Sequence, residues 1–96
     1  MTLRGSGSFQ RDRLPSTPAY FGSIGLNLRG RGPWRSGLCP FHNDSTPSLR
    51  VNVGSGAFRC MACGAHGGDV LEFHRQRTGK GFVEAARELG AWVGSR

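Results

Sequence analysis

Acidic side chains are scarce in this sequence: six Asp and Glu stand against thirteen Lys and Arg in 96 residues. They form no cluster suited to holding two metal ions, which argues against phosphoryl-transfer chemistry by this chain alone. Long apolar runs are missing, and the first twenty residues lack the apolar segment of a signal peptide, so no membrane partner is expected. Cysteine is limited to three residues. An odd number leaves one thiol unpaired in any disulfide framework, and free thiols fit a reducing cytoplasm. There is also little to bury. With the glycine-rich N-terminus set aside, about two-thirds of the chain can pack, and a core that small is marginal without a staple, usually a metal.

What the sequence does contain is organised around Cys39-Pro40-Phe41-His42 and Cys60-Met61-Ala62-Cys63, with seventeen residues between His42 and Cys60. Two residues between ligands let both side chains of a tight turn point at one ion, and two such knuckles joined by a hairpin make a closed tetrahedral zinc site. The expected ligands are Cys39, His42, Cys60 and Cys63, holding one structural Zn2+. Structural zinc supplies roughly 10–16 kcal/mol of apparent binding energy, so the hairpin is expected to fold with its metal. Other readings of these residues exist. Cys60-x-x-Cys63 alone also suits thiol exchange, though that motif normally opens a helix, whereas here it follows a strand and precedes glycines. Inert buried thiols are the plain alternative. His66, in Cys63-x-x-His66, also has ligand spacing and could replace His42; the symmetry of the two knuckles favours His42 and leaves His66 in a loop. His74 reads as a packing histidine.

The positive charge is uneven. Residues 1–63 carry eight basic and two acidic side chains, residues 64–96 five and four. Twelve of the thirteen basic residues are arginine, whose planar fork suits bidentate contact with phosphate. A zinc ribbon beside such an excess points to nucleic acid, with a solvated basic surface as the alternative.

Taken in order, residues 1–16 read as a flexible basic arm and residues 17–93 as one zinc-ribbon domain. Thr17-Pro18 starts a short helix with Thr17 as its cap, and Tyr20, Phe21 and Ile24 form its apolar face. Leu26 to Leu38 reads as a strand pair broken at Gly30-Arg31-Gly32-Pro33. Leu49, Val51 and Val53 alternate with Arg50 and Asn52 in a half-buried strand, and Gly54-Ser55-Gly56 turns it back to Phe58-Arg59-Cys60. Asp69 caps a helix reaching about Thr78; Phe82, Ala85, Ala86 and Leu89 mark a second helix ended by Gly90. Trp92 is expected to pack back on these helices.

Side-chain parity then assigns faces. With Leu26, Leu28, Trp34, Leu38, Leu49, Val51, Val53 and Phe58 inward, alternation sends Arg29, Arg35, Arg50 and Arg59 to the other side. In one sheet these four arginines line one face, with Arg31 at its rim, as a candidate nucleic-acid-binding surface. By the same parity Trp34 belongs to the core.

These residues resemble the Cys-His-Cys-Cys zinc-binding domain of bacterial and phage DNA primases. The similarity is carried by Cys39-Pro40-Phe41-His42, Asp44, Thr46-Pro47-Ser48, Phe58-Arg59-Cys60-x-x-Cys63-Gly64, Gly67-Gly68-Asp69-Val70 and Phe82-Val83-Glu84-Ala85-Ala86, and covers residues 18–92. It implies a small α+β fold, a zinc ribbon on an antiparallel β-sheet with flanking helices, with Cys39, His42, Cys60 and Cys63 as ligands. It also implies contact with single-stranded DNA template and a part in choosing where primer synthesis starts. The sequence departs from the family at Ser45 and Met61, where relatives often carry a lysine and an aromatic residue, and it contains no polymerase domain. The expectation is a stand-alone zinc-dependent DNA-binding module of a bacterium or mobile element. It would have no catalytic residues of its own and would act with a separate primase polymerase domain or helicase. The alternative is a zinc-ribbon adaptor whose arginine face meets an acidic protein.

Overall fold

The apolar alternation of residues 49–60 is too short to bury anything by itself, so its strands depend on neighbours. The computed structural model describes residues 7–43 and 45–94. In chain order these form β1 (Ser8–Phe9), a single 3-10 turn at Arg11–Arg13, and α1 (Thr17–Ser23). β2 (Trp34–Gly37), β3 (Leu49–Asn52), β4 (Phe58–Cys60) and β5 (His66–Gly67) follow. The chain continues through α2 (Val70–Thr78), α3 (Phe82–Glu88) and β6 (Trp92–Val93).

Strands β2–β3–β4–β5 form a four-stranded sheet in that order, every pair antiparallel. Its inner face carries Leu49, Val51, Phe58 and Cys60, all buried. α2 closes that face with Phe73, whose fully buried ring meets Phe21 at 4.7 Å, Phe58 at 4.8 Å and Phe41 at 5.0 Å between centroids. Two of these contacts are edge-on, the arrangement ring quadrupoles favour. A second cluster joins Leu71, Ala85 and Ala86 to Phe9, Leu14, Leu89 and Trp92. The start of α2 is as expected: the Asp69 carboxylate accepts the Glu72 N–H at 2.9 Å. α1 is capped one residue earlier than expected, by Ser16, whose hydroxyl accepts the Ala19 N–H.

Three expectations are corrected. Residues 8–14 are part of the folded body and not of a free arm. Ser8 and Phe9 pair with Val93 and Trp92 in a second, two-stranded sheet, Phe9 packs edge-on to Phe82 at 5.1 Å, and Arg11 pairs with Asp69 at 2.8 Å. Two apolar residues, Phe9 and Leu14, anchor that segment on the second cluster. The rest of the arm, residues 1–6 with Arg4, lies outside the described residues, as does Asp44 of the first knuckle's loop.

The second correction concerns β2. Arg35 is opposite Val51 and Gly37 opposite Leu49, so these two share the inner side, while Trp34 and Ser36 face outward with Asn52 and Arg50. Parity inferred from Trp34 is therefore one residue out of step. The cause is visible at Gly37, where a Cβ would come within 2.8 Å of Leu26 Cδ2 and 3.2 Å of Leu28 Cδ2. Leu26 and Leu28 cover the inner side of this edge strand, so it needs glycine there. Leu38, expected inside, is also exposed.

Third, residues 26–28 form no strand of their own; the segment meets the sheet through one bridge, Arg29 opposite Ser36.

Candidate metal centre

The chain enters the first knuckle from the end of β2 and the second from the end of β4. Backbone amides point at the sulfurs in both. Phe41 N–H donates to Cys39 Sγ at 3.4 Å, and the Ala62 and Cys63 N–H groups each donate to Cys60 Sγ at 3.4 Å. Donors aimed at sulfur favour its thiolate form, the form that binds metal. Gly64, at a φ of +82°, turns the chain away after the second knuckle, a conformation open to glycine without strain. Phe41 ties the first knuckle to the core through Phe73 and Phe58.

These turns bring the ligand atoms of Cys39, His42, Cys60 and Cys63 within 4.8 Å of one another. Cys39 Sγ lies 3.8 Å from Cys63 Sγ, and His42 Nε2 lies 3.4 Å from Cys60 Sγ. A tetrahedral ion with zinc–sulfur bonds of about 2.3 Å would have sulfur–sulfur edges of about 3.8 Å, and slightly shorter nitrogen–sulfur edges. The donor set and its spacing fit zinc. Cys39 and Cys60 are buried and Cys63 exposed.

The protein groups around the thiols act in opposite directions. Burial pushes the Cys39 thiol up to about 12, assisted by the neighbouring cysteines and only partly offset by the Phe41 amide. Burial also raises the Cys60 thiol, but the Cys63 and Ala62 amides and His42 outweigh it and bring it down to about 6. Burial thus opposes the metal-binding thiolate form at both sulfurs, and the backbone amides of the knuckles favour it. When bound, the ion supplies cross-linking of the two knuckles; the residues supply its geometry.

His66 is not in this cluster. It lies in β5 opposite Arg59, with its Nδ1 donating to the Gly64 carbonyl at 3.0 Å. His74 is a packing residue as expected, but with polar partners that its own surroundings in sequence do not reveal. Its ring nitrogens meet the Tyr20 hydroxyl at 3.0 Å and the Glu88 carboxylate at 2.6 Å, tying α1, α2 and α3 together.

The outer face of the sheet has one continuous cross-strand row: Arg29, Ser36, Arg50, Arg59 and His66, each opposite the next. Three of the four arginines expected there are on it. Arg35 is on the other side, its Nε donating to the Gly32 carbonyl at 3.1 Å. Arg31 is exposed in the loop before β2. None of the four strands carries an acidic residue, so nothing along them neutralises the row.

Against known proteins, residues 23–95 match the family described as the CHC2 zinc finger. Over 58 residues the chain is 45% identical to the DNA primase of Lactococcus lactis, which covers 60% of this chain and 9% of that protein. Over 69 residues it is 42% identical to the DNA primase of Geobacillus stearothermophilus, covering 72% and 11%. This chain thus spans about a tenth of the length of these relatives. Among solved structures, one of Aquifex aeolicus primase that comprises its zinc-binding and RNA polymerase domains matches with a TM-score of 0.67 at 33% identity, over 79% of this chain and 18% of that one. With two knuckles converging on one tetrahedral site and an antiparallel sheet beneath them, the chain belongs to the CHC2 zinc finger family, as a DNA primase-type module with one structural zinc.

Proposed function

We propose that this chain is a zinc-dependent module that binds single-stranded DNA and takes part in template recognition during primer synthesis. The observation that carries this reading is the row of Arg29, Arg50 and Arg59 on one sheet face, with no acid on the strands beneath it. Neighbouring strands are about 4.8 Å apart, so Arg50 and Arg59 sit close enough to grip successive phosphates. Zinc holds the adjoining end of β4, because Cys60 follows Arg59 directly. The chain's own part is to bind and orient the template; nucleotide addition belongs to a polymerase domain, with a helicase as a further partner, in the bacterial cytoplasm.

The test is a titration with short single- and double-stranded oligonucleotides at several salt concentrations. Single strands should bind more tightly, with affinity falling steeply as salt rises. Arg50→Ala or Arg59→Ala should weaken binding on every sequence and lower the salt slope by roughly 0.7 for each phosphate no longer held. Arg87, exposed on α3, is the control. If Arg87→Ala weakened binding as much as Arg50→Ala, the attraction would be diffuse and no strand path would cross the sheet.

A second reading, a protein-docking adaptor, is favoured by exposed Phe82, Val83 and Val93, which lie outside the four-stranded sheet. A protein partner retained from nuclease-treated lysate, and lost on Phe82→Ser, would support it.

A further inference from the structure

Trp34, expected in the core, lies outside it. It is 42% exposed and lies on the same face as the arginine row. Along β2 it is two residues from Ser36, about 7 Å at the rise of a strand. That is close to the span from a phosphate to the base of its own nucleotide. Among the described residues no ring packs against Trp34, so both sides of its indole are not committed to other aromatics. Its backbone, in contrast, is fixed: β2 pairs with β3 at Trp34 opposite Asn52, and Val53 N–H donates to the Pro33 carbonyl at 2.8 Å.

Two more exposed apolar side chains lie close to the row. Leu38 follows two residues after Ser36 and is 51% exposed; Met61, after β4, is 66% exposed. A surface that contacted phosphates alone would gain nothing from an exposed indole held on a rigid strand. A single strand offers both kinds of contact, phosphates to the guanidinium groups and unstacked bases to flat apolar rings.

We propose that Trp34 is a base-stacking platform, receiving an unpaired base of the strand whose phosphates lie on Arg29, Arg50 and Arg59. The proposal rests on the single-strand reading above. Stacking tolerates every base, so Trp34 adds affinity and sets the register of the strand without demanding a sequence.

The test compares the zinc-loaded chain with Trp34→Ala and Trp34→Phe, using short single-stranded DNA and the same oligonucleotides with abasic positions. Trp34→Ala should bind roughly 5- to 150-fold more weakly, the range typical of losing one stacked base, with an unchanged salt slope. Trp34→Phe should recover most of the loss. In a Trp92→Phe background, the fluorescence of Trp34 should be quenched by normal DNA and much less by DNA abasic throughout. If Trp34→Ala bound as tightly as the parent while the steep salt slope persisted, the stacking role would be overturned and the DNA reading would stand. If the parent bound no single strand at all, both would fail. The fluorescence comparison leaves Trp34 itself intact, so it decides the matter even if a Trp34 variant folds poorly.

Discussion

Replacing His42 by Ala removes one of four ligand atoms that lie within 4.8 Å of one another. Replacing His66 removes a side chain on the opposite face, bonded to the Gly64 carbonyl. His66→Ala should therefore keep one zinc per chain, while His42→Ala and Cys60→Ser should lose it, together with the strand signal in circular dichroism. Metal analysis after gel filtration checks this, and loss of zinc from His66→Ala alone would overturn the ligand set. Acid should release the metal from the parent chain, because thiolates and neutral imidazole are the binding forms. The ligands were legible in the sequence because each knuckle is local: two residues of spacing suffice to aim both side chains. Phe9 and Glu88 were not legible as structural residues. Their partners, Phe82 on α3 and His74 on α2, come from distant or separate elements, and only the packed chain brings them together.

Among the elements, α2 has the most to lose at its first turn. Asp69 satisfies the Glu72 amide and also pairs with Arg11. Asp69→Ala should destabilise the zinc-loaded chain by about 1 kcal/mol, within the range of roughly 0.5–2 typical of cap loss. Asp69→Asn keeps a capping oxygen and loses only an exposed ion pair, which is worth little, so it should retain most of the stability. Urea unfolding of the three proteins side by side gives the order; equal midpoints for Ala and Asn would show that the cap contributes nothing. The helices were legible because caps and stripes of Val70, Phe73, Ala85 and Ala86 are written in consecutive turns. β3 and β4 were legible too, from strict alternation. β2 was not. Its inner positions hold Arg35 and Gly37, and the apolar cover they would otherwise provide comes from Leu26 and Leu28 in the preceding segment. An edge strand that borrows its hydrophobic side from a loop gives no readable period.

For the whole molecule, the two apolar clusters share α2: Phe73 faces the sheet and Leu71 faces α3. The metal lies at the sheet end of this arrangement, and the pairing of β1 with β6 lies with the other cluster. Ser8 is opposite Val93, and a Cβ placed on Gly7 would be 2.7 Å from the Cα of Gly94. The fold is thus almost a closed loop of chain. Cutting it elsewhere and sealing this gap should cost little, since antiparallel partners are only about 5 Å apart. A circular permutant with residue 94 linked to residue 7 and new ends at the exposed Gly54–Ser55 turn should still take up one zinc, with its two knuckles in reversed order. Failure to bind metal would show that the order of synthesis, and not closure, governs assembly. Success would mean that this unit can be spliced into a surface loop of an unrelated host protein, entering and leaving through one doorway.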